Sequence, residues 1–302
     1  MTDCSTAVNV SAAMLWTAPG PKRDHDRLIL GAATDPAAWA DGMDEDMRLW
    51  LVGQVESQLL YGERVAVLGR EGEWLRVAAA EQASGRDGRG YPGWLPAAQV
   101  SDNDVFLAER AALPAAAVTA TRTLLYADAA GREPVAELSW QTRLPLLAAV
   151  GAMLQVRRPD GAVGYISQYA ASPLSPAPFD GERLLAEARR FAGLHYVWGG
   201  TSAWGFDCSG FALRLYQSQG VAIPRDADEQ AAGGTAVADG DLLPGDLLFF
   251  AGPGGQGDIH HVGVFAGDST MIHAPNSRSA IREDDFTVGK YGEEYWGARR
   301  YR

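Results

Sequence analysis

Cysteine is scarce in this chain of 302 residues: there are two, Cys4 and Cys208. A pair with one member in a terminal segment does not make a disulfide framework, so Cys208 reads as a lone thiol, either a small buried hydrophobe or a nucleophile. Basic residues are also in deficit, 26 Lys+Arg against 38 Asp+Glu, for a net charge of −12, and both halves are acidic. That excludes the cationic face on which sequence-independent nucleic-acid binding depends and disfavours an anionic membrane surface. No apolar run approaches the roughly 18 residues of a membrane-crossing helix; the longest stretch, 145–154, is far too short. The first ten residues, MTDCSTAVNV, show neither a basic region nor a long apolar one, so no export signal is expected and the reading is a cytoplasmic protein.

The composition is globular, and the length suits two domains or three small ones. A segment with three prolines, SPLSPAPFDGE (172–182), reads as the main linker. Before it, short alternating segments recur twice. YGERVAVLGREGEWLRVAAA and GYPGWLPAAQV form one set; VTATRTLLYADAAGREPVAEL and RLPLLAAVGAMLQVRRPDGAVGYISQYA form the other. Each predicts a small all-β barrel. Trp39, Met43, Met47 and Trp50 stand at helical spacing within the first, predicting a helical insertion at about 35–51.

After the linker, GERLLAEARRFAGL and CSGFALRLYQSQG carry helical periodicity, with Asp180 as N-cap of the first and Gly220 ending the second. Three short strands, DLLFFA, HVGVFAG and TMIHAP, and a last one, WGARRYR, follow. Helices first and an antiparallel sheet after predict an α+β domain.

Two segments carry chemistry. In GFDCSGF, Asp207 is a good N-cap, which places Cys208 at the first helical position. A helix N-terminus lowers a thiol pKa and offers free N–H groups to an oxyanion, so an ionised sulfur is expected; a buried Cys on an apolar helix face is the plain alternative. In HHVGVFAGDSTMIHAP, strand alternation puts His261, Gly263 and Phe265 on one face and His260, Val262 and Val264 on the other. A three-residue loop at 266–268, pairing Phe265 with Ser269, would set His261 directly opposite His273. A base on one strand held by a polar partner on the next suits a Cys–His mechanism; ordinary sheet histidines are the alternative. A zinc site would lack a fourth ligand or the HExxH pattern, and GPGGQG (252–257) runs from strand to strand, so it cannot hold a pyrophosphate on a helix. Neither a metal nor a cofactor is expected.

HYVWGG, GFDCSGF, PRDADEQ, LLPGDLLFF, HHVGVF and MIHAP, in that order, resemble the NlpC/P60 cysteine peptidases, which are papain-like and cleave bacterial wall peptides. VESQLLYGE and GYPGWLP are similar to segments of the YkfC-type γ-D-glutamyl-L-diamino acid endopeptidases, which carry two bacterial SH3-like (SH3b) domains ahead of the peptidase. The resemblance implies SH3b domains at 8–103 and 104–172, a linker at 173–179 and the peptidase at 180–302. It implies that Cys208 is the nucleophile, His261 the base, His273 its orienting partner and Tyr196 a donor at the oxyanion. Asp207 and Ser209 take substrate-contacting positions, Trp198 an aromatic wall, and Glu56 and Tyr91 the cleft-closing positions that meet the free amine of the substrate. Asp226 matches the acid of an Arg-Asp-Ser pattern whose serine is Ala227 here. The implied substrate is a free murein peptide, L-Ala-γ-D-Glu-L-diamino acid, handled by a monomer in wall recycling. A secreted hydrolase of intact peptidoglycan, with SH3b domains as wall anchors, is the alternative.

Overall fold

A computed structural model of the chain describes residues 5–20, 22–175 and 177–302. Cys4 and Pro176 lie outside the described residues. Two antiparallel seven-stranded sheets come first, with strands between residues 5 and 101 and between 115 and 173. Each closes on its own apolar core: Leu15, Leu59, Val77 and Leu95 in the first, Val118, Leu138, Leu144 and Val156 in the second. In the first, Gly72 turns the chain at φ +55° between the strands Arg64–Glu71 and Trp74–Ala79, as the GREGE segment predicts.

The insertion is two short helices rather than one, α1 (Pro36–Asp41) and α2 (Glu45–Trp50). The reason is local: Gly42 ends α1, and Asp44 starts α2 by accepting the Met47 N–H at 2.8 Å. Trp39 and Met43 are buried as the spacing predicts, whereas Trp50 is partly exposed.

The C-terminal unit is α+β. Helix α3 (Gly181–Arg189) is capped by Asp180, and α4 (Cys208–Ser218) packs with α3 on one face of a six-stranded sheet. In spatial order that sheet runs β1 (Thr235–Val237), β6 (Tyr295–Arg300), β2 (Leu247–Gly252), β3 (Gln256–Gly267), β4 (Thr270–His273) and β5 (Arg282–Asp285). The short edge strands β1 and β5 carry little periodicity. Val262 and Val264 join Leu215 and Phe211 in the core beneath α4, and Phe250, Phe265 and Met271 form a second core on the other face. The 252–257 glycine run joins β2 to β3, strand to strand.

The β3–β4 register corrects the sequence expectation. Phe265 pairs with Met271, not Ser269, and Val264 with Ile272, so His273 falls opposite Gly263 rather than His261. The turn is tighter than expected: Gly267 pairs with Thr270, with Gly267 at φ +112° and Asp268 at +50°. A two-residue turn alone would have thrown the histidines onto opposite faces. A bulge between Phe265 and Gly267 supplies the missing residue and restores parity, so His261 and His273 are diagonal neighbours on one face. Gly263 keeps the diagonal open, since a Cβ there would lie 2.6 Å from the Met271 sulfur and 3.4 Å from the His273 Cβ.

Candidate active site

Cys208 is the first residue of α4, and Asp207 caps the helix through Oδ1, 2.6 Å from the Gly210 N–H. The backbone N–H of Val262, the residue after His261, is directed at the Cys208 sulfur. Cys208, His261, Tyr196 and Trp198 line one cavity of about 360 Å3. A larger cleft of about 490 Å3 lies between the two N-terminal sheets, lined by Ser11, Tyr61 and Arg158 among others, with neither cysteine nor histidine among the described residues that line it.

The hydrogen bonds behind His261 fix the protons. His261 Nε2 lies 2.7 Å from His273 Nδ1, and His273 Nε2 lies 3.0 Å from Asp284 Oδ2. An ionised carboxylate only accepts, so His273 donates from Nε2 and accepts at Nδ1. His261 must then donate from Nε2, which leaves a lone pair at Nδ1. Asp284 is held in turn by the Arg282 guanidinium, whose Nε lies 3.0 and 2.9 Å from its two oxygens. Burial holds His261 well below the usual imidazole range and brings His273 down to about 4, against the opposing pull of Asp284. Both rings are therefore neutral near neutral pH, as the alternating donor–acceptor chain requires.

The sulfur differs from the sequence expectation. Burial, then the Asp207 carboxylate, push the Cys208 thiol up to about 12, although the Val262 and Ser209 N–H groups and Arg225 pull the other way. The residue that caps the helix sets a negative charge beside the sulfur and offsets the helix end. Both groups are held toward their neutral forms, the thiol by burial and Asp207 and the imidazole by burial.

A polar network joins Cys208 to the first sheet. Arg225 is fully buried; its Nη2 lies 2.6 Å from Asp207 Oδ2, its Nη1 2.8 Å from Ser209 Oγ, and its Nε donates to Ser57 Oγ at 2.8 Å. Arg225 thus pairs with Asp207 and not with the adjacent Asp226. The carboxylate of Asp226 accepts from the Tyr91 hydroxyl at 2.9 and 3.1 Å. Glu56 is clamped by Arg86, whose Nη1 and Nη2 lie 2.6 and 2.9 Å from its oxygens, while Nη1 also reaches Tyr91 Oη at 3.1 Å. Trp198 donates from Nε1 to Val55 O at 2.9 Å, so it bridges the two units while walling the cavity. The adjacent Gly199, at φ +74°, admits the strand Val55–Leu60: a Cβ would come within 2.5 Å of Val55 Cγ1.

All ten residues singled out from the sequence fall on these two connected clusters. Cys208, His261, His273 and Tyr196 form the cavity side; Asp207, Ser209, Asp226, Tyr91 and Glu56 form the network, with Trp198 between. Asp284, Arg86 and Arg225 were not found in the sequence as site residues. Asp284 stands in REDD, which reads as a solvated charge run, and Arg86 in a turn-rich loop.

Comparison with known proteins agrees with the geometry. The model of the NlpC/P60 family matches residues 193–300, and that of the YKFC SH3b2 domain matches residues 118–172. The chain is 37% identical over 309 residues to a gamma-D-glutamyl-L-lysine dipeptidyl-peptidase of Bacillus cereus, covering 99% of this chain and 91% of that one. It belongs to the NlpC/P60 family. A protein of the same description from Bacillus subtilis is 36% identical, with 96% of each chain covered. The crystal structure of an NlpC/P60 family protein from Bacillus cereus superposes with a TM-score of 0.94 at 36% identity, covering 98% of this chain and 99% of that one. The chain is accordingly an NlpC/P60 peptidase whose catalytic unit follows SH3b domains. Among the described residues, no helix is long and apolar enough to cross a membrane.

Proposed function

We propose that this NlpC/P60 peptidase cleaves the amide between γ-D-Glu and the diamino acid of free murein peptides that begin with L-Ala. The observation that carries the reading is the hydrogen-bonded relay His261, His273, Asp284, which leaves a lone pair at Nδ1 of an imidazole that lines the same cavity as Cys208. His261 Nδ1 takes the Cys208 proton as sulfur attacks the γ-carbonyl carbon. The oxyanion is met by the Cys208 N–H, which at the first helical position has no intrahelical partner, and by the Tyr196 hydroxyl. The C–N bond breaks as His261 returns the proton to the departing amine, leaving a thioester. Water, deprotonated by the same nitrogen, releases L-Ala-γ-D-Glu and restores the thiol.

The substrate amine is assigned to the Glu56–Tyr91–Asp226 end. Three carboxylates there, Glu56, Asp207 and Asp226, face two guanidinium groups, Arg86 and Arg225. One ammonium would balance the set, and an acylated amine would leave it unbalanced. A peptide with a free amine is already detached from the polymer, which suits recycling in the cytoplasm by a monomer. The relatives' printed description, a gamma-D-glutamyl-L-lysine dipeptidyl-peptidase, supports the same bond.

The test is incubation with the free tripeptide, its N-acetylated form and purified sacculi, followed by mass spectrometry. L-Ala-γ-D-Glu from the free peptide alone is expected. Equal cleavage of the acetylated peptide, or release from sacculi without free-peptide turnover, would overturn the reading in favour of an intact-wall hydrolase.

A further inference from the structure

None of Glu56, Tyr91, Arg86 and Asp226 lines the cavity at Cys208, and its lining is one-sided in charge. Arg278, Lys290 and His260 line it, and among the described residues no carboxylate does, in a chain of net charge −12. The acids that balance the two cations stand outside the lining. Glu45 Oε1 lies 2.7 Å from Arg278 Nε; Glu294 Oε2 lies 3.7 Å from Lys290 Nζ and 3.3 Å from His260 Nε2. An apolar wall of the lining is formed by Leu49, in α2, and Val52, just after it. That wall is fixed to the catalytic unit by Arg48 Nε, which donates to Ser277 O at 3.2 Å.

We infer that this cavity receives the departing residue through its carboxylates, so that cleavage improves with each carboxylate the residue carries. The inference rests on the proposed function: if the acyl half points its amine toward Glu56, the departing half occupies the other side of Cys208. A departing residue with an α-carboxylate and a second carboxylate at the end of its side chain, such as meso-diaminopimelate, presents one to each cation. L-Lysine with a free α-carboxylate presents one. L-Lysine amide presents none, and the lysine ammonium meets like charge with no lining acid to receive it.

The experiment measures kcat/KM for L-Ala-γ-D-Glu linked to meso-diaminopimelate, to L-lysine and to L-lysine amide, at low and high salt. The expected order is diaminopimelate, lysine, lysine amide, with steps of roughly threefold to tenfold that shrink in high salt. Lys290→Gln should compress the series mainly through KM, and Lys290→Arg should keep it. Equal rates, or the amide as the best substrate, would overturn the inference while leaving the proposed function standing. Cleavage of none of the three would remove that function and the inference with it.

Discussion

Asp284 Oδ2 lies 3.0 Å from His273 Nε2, and this contact sets the tautomer of both active-site imidazoles. Because the carboxylate can only accept, each ring is forced to donate outward and accept inward, and the lone pair emerges at His261 Nδ1. Asparagine at 284 can turn its amide N–H toward His273 and reverse both tautomers. Asp284→Asn is therefore expected to lower kcat by roughly one to two orders of magnitude with little change in KM. Steady-state kinetics on the free tripeptide, with circular dichroism as the folding control, checks this.

Protonation of His273 has the same consequence as reversal, since an imidazolium would donate to His261 Nε2. Burial holds its pKa at about 4, below the ordinary 6.5. The unfolded chain therefore binds this proton first as pH falls. The folded state loses stability progressively from about pH 6.5 down to about pH 4, in total by a few kcal/mol, and the slope from this group levels off below. Urea midpoints across that interval should fall with acid in the wild type and fall less steeply in His273→Gln.

Little of this chain was hidden at short range. Asp207 and Asp180 announce their helices by the N-cap chemistry of their side chains, and strand alternation places His261 and His273 on one face. Partners brought from far along the chain were not legible. Arg225 reads beside Asp226 as a helix-start pair, yet it crosses to Asp207, 18 residues away, and to Ser57, 168 residues away. The β3–β4 bulge is not legible because Ala266-Gly267-Asp268 suits a plain three-residue loop equally well. The high thiol pKa escaped because cap identity reveals the helix end but not how deeply the sulfur is buried.

The Arg225–Asp207 pair is buried on both sides, so removing one partner strands a charge. Arg225→Met should cost about 3–5 kcal/mol in urea unfolding, against under 1 kcal/mol for loss of the exposed Arg27–Asp24 pair. Equal effects of the two substitutions would contradict the buried network.

Glu56 is expected to act in binding. Glu56→Gln should raise KM for the free-amine peptide roughly tenfold and leave kcat nearly unchanged. Michaelis–Menten curves for the wild type and the variant separate the two parameters; a fall in kcat at constant KM would place Glu56 elsewhere in the reaction.

A thiol held neutral by burial and Asp207 should alkylate slowly. Iodoacetamide modification of the free enzyme near neutral pH is expected to be slower than that of an exposed cysteine and to rise with pH, read by intact mass. Fast modification at neutral pH would mean a standing thiolate.

The most direct trial of the whole account is tripeptide turnover by wild type and Cys208→Ala side by side, followed by mass spectrometry of released L-Ala-γ-D-Glu. The dipeptide is expected from the wild type, with loss of at least about a thousandfold in the variant. Dipeptide at equal rates from both proteins would show that the sulfur at the start of α4 is not the nucleophile.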